Sequence, residues 1–133
     1  MMTDALFEKR FFNCELPPDQ FDHTAHLRLA WLQLSKNELE GAIAKVATTI
    51  KNYTIHHEAQ NKYHHTLTIA SVKVVYHFRL KSKQDSFKGF LEEFPRLQSS
   101  FKELIDSHYG FDIFASAEAK TTYLEPDLLP FDG

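Results

Sequence analysis

Six of the chain's eight histidines fall in two short stretches: His23 and His26 in FDHTAHLRLAW, and His56, His57, His64 and His65 in IHHEAQNKYHH. Imidazole changes charge near neutral pH and is the commonest side-chain metal ligand, so these stretches are where the sequence could carry chemistry. His23 and His26 stand three apart, which on a helix places them on one face and one turn from each other. With His64 from a neighbouring element they would give three imidazoles around a vacant position, a recognised catalytic metal arrangement. His57 is the alternate fourth ligand. Imidazoles alone do not separate zinc, iron, nickel and copper, so the cofactor expected on this reading is a divalent transition metal of any of these kinds. The H-E-x-x-H pattern is absent, because Thr24-Ala25 separates the first pair and Glu58 is not placed as that motif requires.

The same residues support two further readings. One is a metal-free pocket, either an enzyme using one imidazole as general base or a non-catalytic small-ligand-binding or pH-sensing module. The other is structural, since histidines at helix termini commonly satisfy backbone groups. Tyr63, Trp31 and Arg28 are the candidate ligand-binding neighbours. Tyr63 could position His64 or bond a ligand, or it could be an aromatic staple at a helix entry. Trp31 could form a platform or belong to the core. Arg28 could clamp an anion or face solvent. Glu125 and Asp127 in the tail are possible outer acceptors over the histidine pole. His77, thirteen residues past His64 and so roughly 220° around a helix, is expected in a different environment. His108 before Gly110 reads as a helix C-terminal cap.

Positioning these residues requires helices. Asp22 or Thr24 can cap a helix carrying the stripe Leu27, Ala30, Trp31 and Leu34. Asn37, with Glu40 three residues on, reads as the cap of a second helix, whose seam runs Leu39, Ile43, Val46, Ile50, Tyr53, His57. After the break Ala59–Lys62, the run from about Tyr63 to Lys83 has no glycine or proline and predicts a central helix apolar on most sides. Shorter helices follow over Ser86–Phe94 and around Leu97–Ile105, with Gly110 as a left-handed stop, and then a short segment around Phe111–Thr122. Residues 1–20 are expected to be an extended lead-in and residues 123–133 an irregular tail. The fold class is therefore all-α, an irregular bundle of roughly four to six helices with an aromatic-rich core, in one domain over residues 1–133. A four-residue break makes the second and third helices antiparallel neighbours, and a short turn pairs the first with the second. Both histidine groups are thereby directed to one pole of the bundle, with His23, His26, His64 and the alternate His57 facing the site, while His56 and His65 diverge by about 100° from their neighbours.

The segments Phe21–Trp31 and Tyr63–Thr66 resemble a pattern of small all-α proteins, F-x-H-x-x-H-L-x-x-A-W followed by Y-H-x-T and later a Pro-Asp pair. Here Phe21, His23, His26, Leu27, Ala30, Trp31, Tyr63, His64, Thr66 and Pro126-Asp127 fill those positions, across most of the chain. The resemblance implies a shared site at the same three histidines. It carries no reaction with it.

Composition narrows the classes. Net charge is −3 with the basic residues scattered, Arg79–Lys83 being the densest run, which argues against a nucleic-acid module. No apolar run approaches the ~20 residues of a membrane span, and the N-terminus lacks the apolar stretch of a signal peptide. A single cysteine, Cys14, cannot form an internal disulfide and reads as a small buried hydrophobe. The default expectations are a cytoplasmic location and a small-molecule ligand as partner. Oligomeric state is not specified by any of these features.

Overall fold

A computed structural model describes residues 2–132. The chain is all-α, an irregular helical bundle with an aromatic-rich core. Eight α-helices are described: α1 Asp4–Phe12, α2 His23–Lys36, α3 Leu39–His56, α4 His65–Lys81, α5 Phe87–Glu93, α6 Arg96–Ser99, α7 Phe101–Asp106 and α8 Ala117–Thr121. Single 3-10 turns at Pro18–Gln20, Gln60–Lys62 and Ile113–Ala115 join them, and there is no strand among the described residues. The count passes six because α1 was not anticipated and the second half breaks into short pieces. No helix among the described residues is long and apolar enough to cross a membrane.

The mutually packed trio α2, α3 and α4 forms the centre. α4 is covered on nearly all sides, burying Thr66, Thr68, Ile69, Ala70, Ser71, Val72, Val74 and Val75. Its β-branched residues are tolerated because burial favours bulk. Two of its hydroxyls bond within the same helical segment, Thr68 donating to the His64 carbonyl at 2.7 Å and Ser71 to that of Leu67 at 2.6 Å. Aromatic edges join the elements: Phe11 meets Phe21, Phe7 and Tyr53, and Trp31 lies against Phe87 and Phe90.

Three local expectations are corrected. Residues 4–12 are a helix rather than an extended lead-in. Thr3 caps it by accepting from the Leu6 amide, Asp4 lies in the first turn and Lys9 and Arg10 in the last, a charge order that suits the helix dipole. Phe7 and Phe11 then dock on the bundle, and Glu8 is buried with Gln33 and Lys36 donating to it. Asn37 closes α2 instead of opening α3: its amide N–H and its side-chain amide both donate to the Gln33 carbonyl, and the extended Glu38 precedes α3 without a side-chain cap. Gly110 is not a left-handed stop. It is needed for space, since a Cβ there would lie 2.9 Å from Asp127 Oδ2, while the Gly110 amide donates to Asp127 Oδ1. Among the described residues, the non-glycine residues with left-handed backbone are Cys14 (φ 60°) and Glu58 (φ 55°).

Candidate functional site

The site is built where the start of α2, the end of α3 and the start of α4 meet. Asp22 caps α2 by accepting from the Ala25 amide at 2.8 Å, which fixes the first turn and the directions of His23 and His26. His57 closes α3, and its ring lies tilted against that of Tyr53, with centroids 4.3 Å apart. Glu58 in the left-handed region then ends the helix, with Ala59 N–H reaching back to the Thr54 carbonyl at 2.7 Å. His64 caps α4 with its own ring, Nδ1 accepting from the Leu67 amide at 3.0 Å.

These three helix ends surround a cavity of about 400 Å³. His26, His57, His64 and Tyr63 line it, together with the apolar faces of Phe21 and Tyr53. A smaller cavity of about 240 Å³ adjoins it, bounded by His23, Phe101 and Phe114, and the two share His26 and Leu67 as a common wall.

Most polar groups in this wall are already committed to the chain. The His57 Nε2–H donates to the Cys14 carbonyl at 2.9 Å, where left-handed backbone at Cys14 follows the end of α1. His64 Nε2–H donates to the Ile113 carbonyl at 2.9 Å, so with Nδ1 already accepting, both ring nitrogens are in use. His23 Nε2–H donates to the Leu97 carbonyl at 2.8 Å, with the ring 4.6 Å from Phe101. Tyr53 donates to the Leu16 carbonyl at 2.6 Å, Thr54 to that of Lys51 at 2.9 Å, and the Tyr63 hydroxyl and His65 Nδ1 are hydrogen-bonded to each other at 2.7 Å. Burial raises the Tyr63 phenol above its ordinary range, and burial, with Lys51 and His64 nearby, lowers the His65 imidazole.

His26 is the exception. Its ring keeps some accessible surface, but Nε2 is covered and has no hydrogen-bond partner among the described residues. Burial first, and the neighbouring His23 second, push its pKa down to about 4. At neutral pH it is an uncharged imidazole in a wall of aromatic carbon.

Each residue singled out in the sequence can now be placed. His26, His57, His64 and Tyr63 meet at one cavity, while His23 reaches only its neighbour. No group of three or more His, Cys, Asp or Glu side chains able to hold a metal ion occurs among the described residues. His64 could ligate only by giving up its cap or its bond to Ile113. Trp31 is buried against Phe90 beneath Arg79, away from the cavity. Arg28 binds Asp4 and the Met2 carbonyl across the Phe7 ring, tying α1 to α2. Asp127 holds Gly110 and Glu125 is exposed, so neither lines the histidine cavity. His56 is exposed, while His77 and His108 border a separate cavity beside the tail.

Sequence reasoning did not assign Phe21, Tyr53, Thr54 and Thr68 to this wall. Tyr53 lies on the α3 seam one turn before His57, and Thr68 one turn after His64, which is the spacing that could have found them. No family model matches the chain, and neither a curated protein nor a solved structure matches it.

Proposed function

We propose that the chain is a small-molecule-binding protein that takes a compact, largely apolar, hydroxyl-bearing compound into the His26 cavity without a resident metal. The observation that carries this reading is a neutral, half-buried imidazole with an unpartnered Nε2 lining an aromatic cavity of ligand-sized volume; because Nε2 is covered, a ligand reaches it by a small rotation of the ring or of its neighbours. A hydroxyl both donates and accepts, so it satisfies the ring in either tautomer. Phe21, Tyr53 and Leu67 supply apolar contact, and the bonded rings of His57 and His64 hold the shape of the wall.

The protonation behaviour favours binding over base catalysis. A general base works best with a pKa near the operating pH, and a pKa of about 4 leaves His26 a hydrogen-bonding group with little driving force to take a proton at neutrality. The resemblance to the F-x-H-x-x-H-L-x-x-A-W pattern adds the expectation that this pole is the site, and names no ligand.

Phenol is a direct probe, followed by calorimetry and backbone amide NMR. Saturable binding is expected, with shifts centred on His26, Tyr53 and Leu67. His26→Leu should weaken it up to about tenfold, the worth of one net hydrogen bond, while toluene binds the two proteins alike. Equal phenol affinity in both proteins contradicts the proposal. So does near-stoichiometric metal in untagged protein that is lost in His26→Ala, which would establish a metal centre instead.

A further inference from the structure

A second cavity, of about 340 Å³, lies where the tail packs against α4 and the turn after α7. His77 and Lys81 border it from one face of α4, Arg96 from the start of α6 and His108 from beyond α7. Among its described lining residues, the one carboxylate is that of Asp132. Lys81 and Arg96 have no acidic partner within 4 Å among the described residues.

Two consecutive side chains of the tail form part of the lining of this cavity. Phe131 stacks on the His108 ring, with centroids 4.0 Å apart and planes at 26°. The Asp132 carboxylate pairs with His77. The segment is anchored independently: the Leu128 and Leu129 amides donate to the His108 carbonyl, His108 Nδ1–H donates to the Leu129 carbonyl at 2.7 Å, and Asp127 accepts from Gly110. The His77 and Asp132 side chains are 39% and 46% exposed, and an ion pair in that setting holds weakly.

We propose that this groove is a binding site for a small aromatic carboxylate, and that Phe131-Asp132 sits in it as an internal mimic. An aryl ring on His108 and a carboxylate on His77 are what the tail already presents. Lys81 and Arg96 leave the groove positively charged even with Asp132 paired to His77, which attracts an external acid, and freeing His77 from Asp132 adds to that attraction. The site shares no lining residue with the His26 cavity, so the two proposals stand or fall separately.

The test is titration of the whole chain with 3-phenylpropionate, read by backbone amide and histidine ring NMR. Three proteins are compared: unmodified, Asp132→Asn, and Phe131→Ala with Asp132→Asn. Competition predicts rising affinity in that order, by about tenfold overall, with shifts at His77, Lys81, Arg96 and His108. Adding Arg96→Ala to the double variant should abolish the gain. The Leu128 and Leu129 amides report whether the tail keeps its anchor, and Asp132→Asn, which retains Phe131, should still show a smaller gain. Equal affinity in all three proteins, or shifts confined to other surfaces, overturns the proposal. Inorganic phosphate binding as tightly as 3-phenylpropionate overturns the aromatic part of it.

Discussion

Among the histidines that line the main cavity, His26 differs from His57 and His64 in having no bond from Nε2 to compensate its burial. That difference is measurable as a pH effect. A histidine whose folded pKa is about 4 and whose ordinary value is 6.5 binds fewer protons in the folded state between those limits. Stability therefore rises with pH through that window, is fully present above about 6.5, and is lost as pH falls toward 4. His65, also lowered, acts in the same direction. Urea unfolding at pH 6.5 and pH 4.5 should differ by up to about 2–3 kcal/mol, and His26→Leu should remove most of that difference. At pH 7 the same substitution should raise stability by about 1 kcal/mol, because it removes a covered polar atom without a partner. A stabilising loss of ligand affinity is the signature of a binding residue; a destabilising one would mark His26 as structural.

At the scale of elements, the ends of α3 and α4 shape the cavity and use unusual residues to do so. Glu58 closes α3 in a left-handed conformation that glycine adopts more easily. Glu58→Gly should raise the thermal midpoint, by an amount equivalent to about 0.5–1 kcal/mol, and leave phenol affinity unchanged. A drop in stability would show that the Glu58 side chain contributes more than its backbone strain removes. His64 is equally unusual as a cap, since the ring serves α4 through Nδ1 and the 3-10 turn at Ile113–Ala115 through Nε2. This double use is why helix periodicity located His64 at the pole without disclosing its role.

On the scale of the whole molecule, a tail without regular structure is bound to the central helix. Thr66 is fully buried; its hydroxyl donates to the Thr122 carbonyl at 2.7 Å and accepts from the Leu124 amide at 3.2 Å. Thr66→Val keeps the shape and leaves both backbone groups without that partner, so unfolding should show a loss of about 2–3 kcal/mol, with faster amide exchange at Leu124. An unchanged stability would mean the tail is held by its aromatic residues and its bonds to His108, Tyr109 and Gly110 without help from Thr66. The central trio was legible in the sequence because it rests on local patterns: the stripe of α2, the seam of α3 and the uninterrupted run of α4. The shared pole of His26, His57 and His64 followed from the same periodicity and the short break between α3 and α4. What was not legible came from distance along the chain. The carbonyls of Cys14, Leu97 and Ile113 that engage His57, His23 and His64 lie 43, 74 and 49 residues away. No spacing rule connects them, so rings that look like open metal donors in the sequence are hydrogen-bonded in the fold. α1 was not legible because its apolar residues Ala5, Leu6, Phe7, Phe11 and Phe12 form no single stripe, Leu6 and Phe12 being exposed while Phe7 and Phe11 are buried.

The central claim is that His26 is a neutral imidazole awaiting a hydrogen-bonding ligand. It is tested most directly by following its ring nitrogens with 15N NMR across pH, first alone and then with saturating phenol. A titration midpoint near 4 is expected, with a displacement of a ring nitrogen resonance when phenol binds. A midpoint near 6.5, with ring resonances indifferent to phenol, would contradict it.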